Sequence, residues 1–326
     1  MTKFTGATPT AEELAAIRSG SLGGVILFGW NVQGPTQLRA FTQALNAARA
    51  PAARRAGLPQ NVLVSVDQEG GAIRNIPFAP PESTQPQLAM SRTDDTKAVG
   101  VSTGRAMREV GVSMVLGPVA DLAEGPNRTM AGRSFGSDGE TVGSFVAANV
   151  QGLQLTKVAA VVKHFPGFGA SSENSDNGVA RIDLPRATLE ANDLRPFAAA
   201  IDAKVDVIMV SHGIYAGLDS KLPAVLEPKI VTDLLRTQLG FEGVAMTDSM
   251  NAKGFRDAWG STVPAACPVA IAAGIDLVLV TGSLETASLC RRQIVDAVKA
   301  GTLPAARVRE AAHRVEQLRT RVAPRA

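Results

Sequence analysis

Several short apolar runs in this sequence end in side chains that can exchange protons, attack a substrate or bind a polar ligand. The residues at these ends are Asp67, Lys163-His164, Ser211-His212 and Thr247-Asp248. A single Asp in such a place often caps the next helix, and a single His is often a hydrogen-bonded packing residue. Several ionisable groups that converge on one edge of a sheet are costly to desolvate unless a polar ligand binds among them. The pattern therefore predicts one polar ligand site.

The chemical mixture in this set favours a sugar as the ligand. Carboxylates, Lys, Arg and His together provide the donors and acceptors that sugar hydroxyls require. The sequence contains no Walker loop, no dinucleotide-binding fingerprint, no His-x-x-x-His motif and no carboxylate cluster at metal-ligand spacing. We therefore expect no cofactor and no metal. The third of the three histidines, His313, lies in the middle of a predicted helix and is expected to be structural.

Eight apolar runs of strand length alternate with amphipathic segments. The runs span residues 3–5, 24–27, 62–66, 114–116, 159–162, 205–210, 243–246 and 277–280. The predicted helices span residues 11–18, 36–50, 94–110, 139–153, 189–200, 228–239, 264–272, 284–300 and 304–322. Continuous apolar strands that alternate with helices indicate a parallel sheet covered by helices. Eight such units favour an α/β fold of the closed (β/α)8, or TIM barrel, type, with an open doubly wound sheet as the alternative.

Length and composition fit one domain of this kind. The chain has 326 residues, of which 45% are hydrophobic and 19% are charged. The Pro-rich segment 77–86 is too short for a domain linker and is better explained as a long loop after a strand. We therefore predict a single domain over residues 1–326.

The charge pattern argues against a nucleic-acid partner. The formal net charge is +3, and the basic residues are scattered along the chain. The densest basic cluster is Arg314, Arg319, Arg321 and Arg325, on the last predicted helix and its tail. This spacing is typical of a solvated helix face and is too sparse for a phosphate-binding patch.

Two cysteines, Cys267 and Cys290, lack metal-ligand spacing and are predicted to be small buried hydrophobes, with a disulfide as the alternative. No apolar stretch is long enough to span a bilayer, and no signal peptide opens the sequence. As written, the chain is expected to be a cytoplasmic monomer. A longer precursor that is exported is the alternative.

Five segments of the sequence resemble one enzyme family in their order and spacing. They are Gly23-Gly24-Val25-Ile26-Leu27-Phe28, Asp67-Gln68-Glu69-Gly70-Gly71, Gly132-Arg133-Ser134-Phe135-Gly136, Lys163-His164-Phe165-Pro166-Gly167 and Thr247-Asp248-Ser249. The family is glycoside hydrolase family 3, and the likeness is greatest to its single-domain bacterial β-N-acetylhexosaminidases, over essentially the whole chain. The resemblance implies a TIM barrel and a retaining mechanism through a covalent glycosyl-enzyme intermediate.

The resemblance also implies roles for individual residues. By position, Asp248 is the nucleophile. The residues implied to hold the sugar hydroxyls are Asp67, Arg133, Lys163 and His164, and His212 is implied to line the same pocket. Positive charge from Lys163 and Arg133 is expected to keep Asp248 ionised. Cis peptide bonds are implied at Lys163-His164 and Phe165-Pro166.

The loop after the fifth strand departs from the family pattern. The hexosaminidases of this family have Asp-Ser-His there, with the His as general acid/base and the Asp orienting it, whereas this chain has Asn174-Ser175-Asp176. Phe168 and Ala170 replace nearby polar residues. Asn75, beside Arg74, stands where a sugar-contacting Arg is expected.

Three explanations of this departure stay open in the sequence. Asp176 is itself the general acid/base, with a pKa raised by burial when the loop closes. Alternatively Glu173, another loop residue or a partner supplies the proton. In the third case the chain keeps a sugar pocket without efficient turnover. The loop, residues 167–178, is rich in Gly, Ala, Ser and Asn and is predicted to be mobile.

The leading prediction is a retaining β-glycosidase that acts on terminal β-linked sugars through a covalent bond to Asp248. N-acetylglucosaminides such as cell-wall fragments are the first substrates to test, with a role in peptidoglycan recycling. The alternative from another class is a non-hydrolytic or weakly active carbohydrate-binding barrel. A more distant alternative is an aldolase that forms a Schiff base at Lys163, which requires that lysine to be unpaired.

Overall fold

Eight parallel strands form the central sheet of a computed structural model that describes residues 1–123 and 128–323. The strands in chain order are β1 Thr2–Lys3, β2 Gly24–Leu27, β3 Leu63–Val66, β4 Gln68–Gly70, β5 Ile73–Arg74, β6 Met114–Val115, β7 Ala159–Phe165, β8 Arg181–Ile182, β9 Val207–Val210, β10 Ile214–Tyr215, β11 Val244–Ser249 and β12 Leu277–Leu279. The sheet has the order β1-β2-β3-β6-β7-β9-β11-β12, and a parallel bridge between Thr2 and Val280 joins its two ends. The predicted (β/α)8 barrel is therefore confirmed.

Helices cover the outside of this barrel. They are α1 Ala11–Arg18, α2 Pro35–Arg55, α3 Gln85–Leu88, α4 Thr93–Glu109, α5 Gly139–Leu155, α6 Arg186–Thr188, α7 Arg195–Asp202, α8 Lys253–Trp259, α9 Val263–Ala273, α10 Leu284–Lys299 and α11 Ala305–Val322. Two further segments, Leu189–Asp193 and Lys229–Gln238, are π-helical, and Gly29–Asn31, Ala216–Leu218 and Ala224–Leu226 are short 3₁₀ turns. Each predicted helix is present within a few residues of its expected bounds.

Alternation along the strands decides which side chains point into the barrel. In β7, Ala159 and Val161 belong to the apolar cluster inside the barrel, whereas Ala160 and Val162 pack outward against the helices. The same alternation in β11 turns Val244 and Met246 inward. Because side chains two residues apart share a face, Lys163 and Asp248 continue these inward rows at the carboxyl ends of their strands. The packing of the apolar residues of β7 and β11 thus fixes the direction in which the side chains of Lys163 and Asp248 point.

The opposite end of the barrel is covered by α11. Leu318 and Val322 of this helix join the inner cluster. The predicted solvated face is wrong for Arg319, which is 2% exposed. Its guanidinium donates to the carbonyl of Asn61 at 2.7 Å and to that of Gly23, at the starts of β3 and β2. Arg325 of the same predicted cluster lies outside the described residues.

The two cysteines, Cys267 of α9 and Cys290 of α10, are buried, as predicted. They are joined as a disulfide, with 5.5 Å between their Cα atoms. Among residues 1–123 and 128–323, no helix combines the length and the apolar composition that a membrane crossing requires.

Candidate active site

A pocket of about 510 Å³ opens at the carboxyl ends of the barrel strands. Apolar side chains from inside the barrel form its floor, namely Ile26, Leu116, Met209 and Leu279. The polar residues on its wall include Asp67, Glu69, Arg133, Lys163, His164, Asp176 and Asp248. Six of the seven predicted site residues therefore lie around one cavity. The cavity is at the end of the barrel where TIM-barrel enzymes have their catalytic groups.

Lys163 lies at the centre of a buried ion network. Its ammonium is 2.6 Å from Asp67 Oδ1 and 2.7 Å from Glu69 Oε1. Arg133 binds the same Glu69 carboxylate with two hydrogen bonds, from Nη2 at 2.7 Å and from Nε at 2.9 Å. A bidentate pair of this kind fixes both direction and distance. The network therefore holds these four side chains in one arrangement before any ligand binds.

Glu69 is a site residue that the sequence interpretation missed, although it lies within the recognised segment Asp67 to Gly71. Burial alone would raise the pKa of Glu69, but the charges of Lys163 and Arg133 outweigh it and lower that pKa to about 2. Burial likewise opposes the charge of Lys163, but Asp67 and Glu69 raise its pKa above the usual range. A paired, protonated Lys163 lacks the free amine that a Schiff-base aldolase needs, so that alternative is wrong.

His164 is oriented by a second missed residue, Asp121. The Nδ1 atom of His164 lies 2.6 Å from Asp121 Oδ2, and the backbone N–H of His164 donates to the same carboxylate. The N–H of Phe168 donates to it as well, at 2.7 Å. With Nδ1 engaged, the other ring nitrogen of His164 is left for the pocket. The implied cis peptide bonds, Lys163-His164 and Phe165-Pro166, are both present.

Asp248 lies near the end of β11 with its carboxylate on the pocket wall. The backbone N–H of Ser249 donates to its Oδ1 at 2.6 Å. Burial opposes ionisation, but His212, His164, this N–H group and Lys163 together lower the pKa of Asp248 below its ordinary value. Asp248 is therefore ionised at neutral pH. Lys163 contributes to this lowering of the Asp248 pKa, as expected. Arg133 was expected to contribute as well, but its guanidinium is paired with Glu69.

The expected place of His212 on the pocket wall stays a prediction. His212 is 2% exposed, and its ring packs on Phe255 of α8 with 4.6 Å between ring centroids. Its Nε2 is 2.8 Å from the carbonyl oxygen of Ser249. Burial lowers the pKa of His212, and the charge of Asp248 opposes that shift. His212 thus positions the segment that carries Asp248.

The loop with the altered triplet is docked over the pocket. Asn174, Ser175 and Asp176 all line the cavity. The N–H of Gly254 in α8 donates to the carbonyl of Ser175 at 2.8 Å. A Cβ atom on Gly254 would lie 1.8 Å from the carbonyl oxygen of Gly178. The absence of a side chain at Gly254 is therefore what lets α8 approach the loop this closely.

Asp176 is the loop carboxylate that lines the same pocket as Asp248. Desolvation and the charge of Asp248 both raise the pKa of Asp176 above its ordinary value. The carboxylate of Glu173 instead lies against Gly178, and its residue does not belong to the pocket wall. Of the two loop carboxylates, Asp176 is the one that lines the pocket.

Asn75 also lines the pocket, at the place where an Arg was expected. Its Oδ1 accepts from the N–H of Gly29 at 3.0 Å, and its Nδ2 donates to the carbonyl of Asp67 at 3.0 Å. Asn75 therefore links the chain after β2 to the chain after β3. The neighbouring Arg74 pairs with Glu82 at 3.5 Å, and Arg74 is not on the pocket wall.

Comparison with known families gives one match over most of the chain. The model of the glycosyl hydrolase family 3 N-terminal domain matches residues 2–318. An uncharacterized secreted glycosyl hydrolase of Arthroderma benhamiae is 33% identical over 329 residues, which are 99% of this chain and 91% of that protein. A β-hexosaminidase of Stenotrophomonas maltophilia is 34% identical over 299 residues, 88% of this chain and 82% of that one.

Solved structures agree with this match. The β-N-acetylhexosaminidase of Beutenbergia cavernae is 32% identical and superposes with a TM-score of 0.88, covering 98% of this chain and 96% of that one. Two longer proteins superpose with a TM-score of 0.92 at 28% identity, a fungal multi-domain β-N-acetylglucosaminidase and one from Paenibacillus. This chain spans 38% and 62% of their lengths.

Proposed function

This chain belongs to glycosyl hydrolase family 3 and is a β-glycosidase, and from that premise we propose that it is a retaining enzyme that releases terminal β-linked N-acetylglucosamine. The observation that supports this most directly is the pair Asp248 and Asp176, whose pKa values are displaced in opposite directions at one pocket. Two carboxyl groups whose pKa values are shifted apart suit acid-assisted glycoside cleavage.

In the first step Asp248 attacks the anomeric carbon and Asp176 protonates the leaving oxygen. The transition state resembles an oxocarbenium ion, and the ionised Asp248 stabilises that positive charge before it forms the covalent bond. Burial and the charge of Asp248 raise the pKa of Asp176, which is the direction that favours this donation. The glycosidic C–O bond breaks as the bond to Asp248 forms, and the leaving group departs as an alcohol.

In the second step a water molecule replaces the enzyme at the anomeric carbon. The ionised Asp176 accepts a proton from that water, which then attacks and breaks the bond to Asp248. The sugar leaves with its original β configuration after two inversions. The two carboxyl groups of retaining enzymes are ~5–5.5 Å apart, and we expect the same separation here when the sugar is bound.

The ion network supplies the contacts to the sugar hydroxyls. Asp67 and Glu69 are acceptors, Lys163 and Arg133 are donors, and the free ring nitrogen of His164 is a donor or an acceptor on the same wall. Because Glu69 already binds both cations, the network needs little reorganisation when the sugar binds. We assign these residues to the sugar ring on the nucleophile side of the scissile bond.

The choice of sugar follows the relatives. The curated relative from Stenotrophomonas is a β-hexosaminidase, and the neighbour from Beutenbergia is a β-N-acetylhexosaminidase. N-acetylglucosaminides are therefore the substrates to test first, and fragments of cell-wall peptidoglycan are a natural source of them.

The test is hydrolysis of a panel of nitrophenyl β-glycosides, including the N-acetylglucosaminide. Wild type is compared with Asp248→Asn and with Asp233→Asn, a matched change at an exposed position on the helical segment Lys229–Gln238. We expect nitrophenol release that Asp248→Asn abolishes and Asp233→Asn preserves. Undiminished release by Asp248→Asn would refute the nucleophile assignment. Sugar binding without release from any glycoside would instead favour the carbohydrate-binding barrel.

A further inference from the structure

An exposed tryptophan stands beside the pocket. Trp30 follows β2, at the carboxyl end of the barrel, and its side chain is 54% exposed. Its indole Nε1 donates to the carbonyl of Phe4 at 3.2 Å. Because that bond uses the single hydrogen-bond donor of the indole, the surface that meets solvent is apolar ring carbon. This exposed ring offers a flat apolar surface to a ligand beside the pocket.

The tryptophan is fixed by its neighbours. Asn31 accepts from the N–H of Phe28 at 2.9 Å, and its side-chain amide donates to the carbonyls of Phe4 and Gly6 at 3.0 and 2.8 Å. These bonds lock the short 3₁₀ turn Gly29–Asn31 onto the segment after β1. Trp30 is therefore a rigid surface feature, and a ligand that stacks on it loses no affinity to ordering the turn.

Trp30 is continuous with the catalytic pocket through Phe28. Phe28 lines the pocket, and its ring stacks on the indole with 4.5 Å between centroids and 14° between planes. Lys3 lies next to them, with Nζ 5.9 Å from the indole centroid, and no carboxylate among the described residues pairs with it. An aromatic ring for the apolar face of a sugar thus lies beside an ammonium group that can donate to its hydroxyls.

We propose that Trp30, Phe28 and Lys3 form a second carbohydrate subsite, which takes the sugar ring of the leaving group. This inference rests on the proposed function, because it assumes that the first sugar occupies the pocket. The apolar floor of the pocket closes the way into the barrel, so anything joined to that sugar leaves through the mouth, where Trp30 lies. A pyranose with apolar C–H groups on one face and hydroxyls at its rim matches a flat indole with a cation beside it.

The first experiment uses Trp30 as its own probe. The protein has two tryptophans, so Trp259→Phe leaves Trp30 as the single indole, and Asp248→Asn prevents turnover. This double variant is titrated with N-acetylglucosamine and with its β-linked disaccharide while indole fluorescence is recorded. We expect the disaccharide to change the emission and the monosaccharide to leave it unchanged. An unchanged emission at saturating disaccharide, with binding verified by calorimetry, overturns the subsite.

The second experiment is kinetic and separates the two proposals. Trp30→Ala and Trp30→Phe are compared on the disaccharide and on the β-N-acetylglucosaminyl azide, whose leaving group is too small to reach the indole. We expect Trp30→Ala to raise the ratio of the KM for the disaccharide to the KM for the azide about tenfold. We expect Trp30→Phe, which keeps an aromatic ring, to have a ratio close to that of wild type. Leu155→Ala, an exposed apolar residue at the end of α5, is the control and keeps the wild-type ratio.

The outcomes distinguish the two proposals. Hydrolysis of both substrates with an unchanged ratio in Trp30→Ala refutes the subsite and leaves the hydrolase intact. If wild type hydrolyses neither substrate, the proposed function fails, and the fluorescence titration still decides whether Trp30 contacts a second sugar ring.

Discussion

Asp176 and Asp248 line the same pocket, where burial and the charge of Asp248 raise the pKa of Asp176 while that of Asp248 itself is lowered. We predict a bell-shaped pH dependence of kcat/KM. Activity falls in acid as pH drops through the lowered pKa of Asp248, because the nucleophile is then protonated. It falls at higher pH as pH rises through the raised pKa of Asp176, because the acid has then lost its proton. Initial rates on an alkyl glycoside across the pH range measure both limbs.

Asp176→Ala tests the origin of the alkaline limb. Removal of a general acid typically costs ~10²–10⁴-fold, and we expect that loss on alkyl glycosides together with disappearance of the limb. Activated dinitrophenyl glycosides need little acid help and should keep more activity, and added azide should replace water at the covalent intermediate. Glu173→Ala is the matched control on the same loop. If Glu173→Ala caused the same losses as Asp176→Ala, the assignment of Asp176 as the general acid would be refuted.

The contact between α8 and the catalytic loop gives a second prediction. Gly254→Ala places a Cβ atom against Gly178 and Ser175, so the loop must shift away from its docked position. We expect kcat on alkyl glycosides to fall by roughly 10–100-fold, since small displacements of a catalytic group have effects of this order, with KM much less affected. Gly6→Ala, where a Cβ would meet its nearest atom at an ordinary 3.4 Å, is the control. Equal kcat values in Gly254→Ala and Gly6→Ala would show that activity does not depend on how closely the loop that carries Asp176 packs on α8.

The network around Glu69 gives a third prediction. Glu69→Gln keeps the shape of the side chain but removes the charge that both Lys163 and Arg133 face. Breaking a buried pair leaves charges uncompensated, so we expect a loss of about 3–5 kcal/mol in the free energy of unfolding and a higher KM. Glu82→Gln removes the exposed partner of Arg74 and should change the free energy of unfolding by less than about 1 kcal/mol. Denaturant titration compares the two directly.

A fourth prediction concerns stability at the end of the barrel far from the pocket. Burial raises the pKa of Asp206 to about 7, although Arg321 lies 2.5 Å away and opposes the shift. The folded state therefore holds this proton more tightly than the unfolded state does, and stability declines as pH rises from the ordinary carboxyl pKa through about 7.

The corresponding variant is Asp206→Asn, which stays neutral at every pH. We expect it to be more stable than wild type in mild alkali, by at most roughly 4 kcal/mol, and to show little advantage in acid. Asp202→Asn, at the exposed end of α7, is the control. Thermal unfolding on both sides of neutral pH provides the measurement, and a difference between Asp206→Asn and wild type that does not change with pH would contradict the assignment.

Most of the barrel could be predicted from the sequence because its signals are local. Seven of the eight barrel strands coincide with short apolar runs, and α1 and α11 begin within one residue of their predicted starts. The short elements could not be predicted in this way. The hairpin of β4 and β5 and the parallel pair of β8 and β10 have two or three residues per strand and depend on contacts with other loops. Helix α8 has seven residues, too few for a helical period to stand out.

The site was predictable where a polar residue follows a strand, as at Asp67, Lys163 and Asp248. It was not predictable where function depends on pairs that are distant in sequence. Asp121 and His164 are 43 residues apart. No local pattern in the sequence indicates that the carboxylate of Asp121 binds both the backbone N–H and the ring Nδ1 of His164. His212 is a similar case: its position after β9 was identified correctly, but its contacts with Phe255 and with the carbonyl of Ser249 depend on residues distant in sequence.

The apolar floor formed by Ile26, Leu116, Met209 and Leu279 has a consequence for long substrates. A polymer cannot thread through the barrel, and under the proposed release of terminal sugars a chain end enters and each cycle removes one unit. The freed unit must diffuse out through the opening by which the chain came in, before the next end can enter. The rate on a polysaccharide should therefore follow the molar concentration of its ends and be independent of its mass.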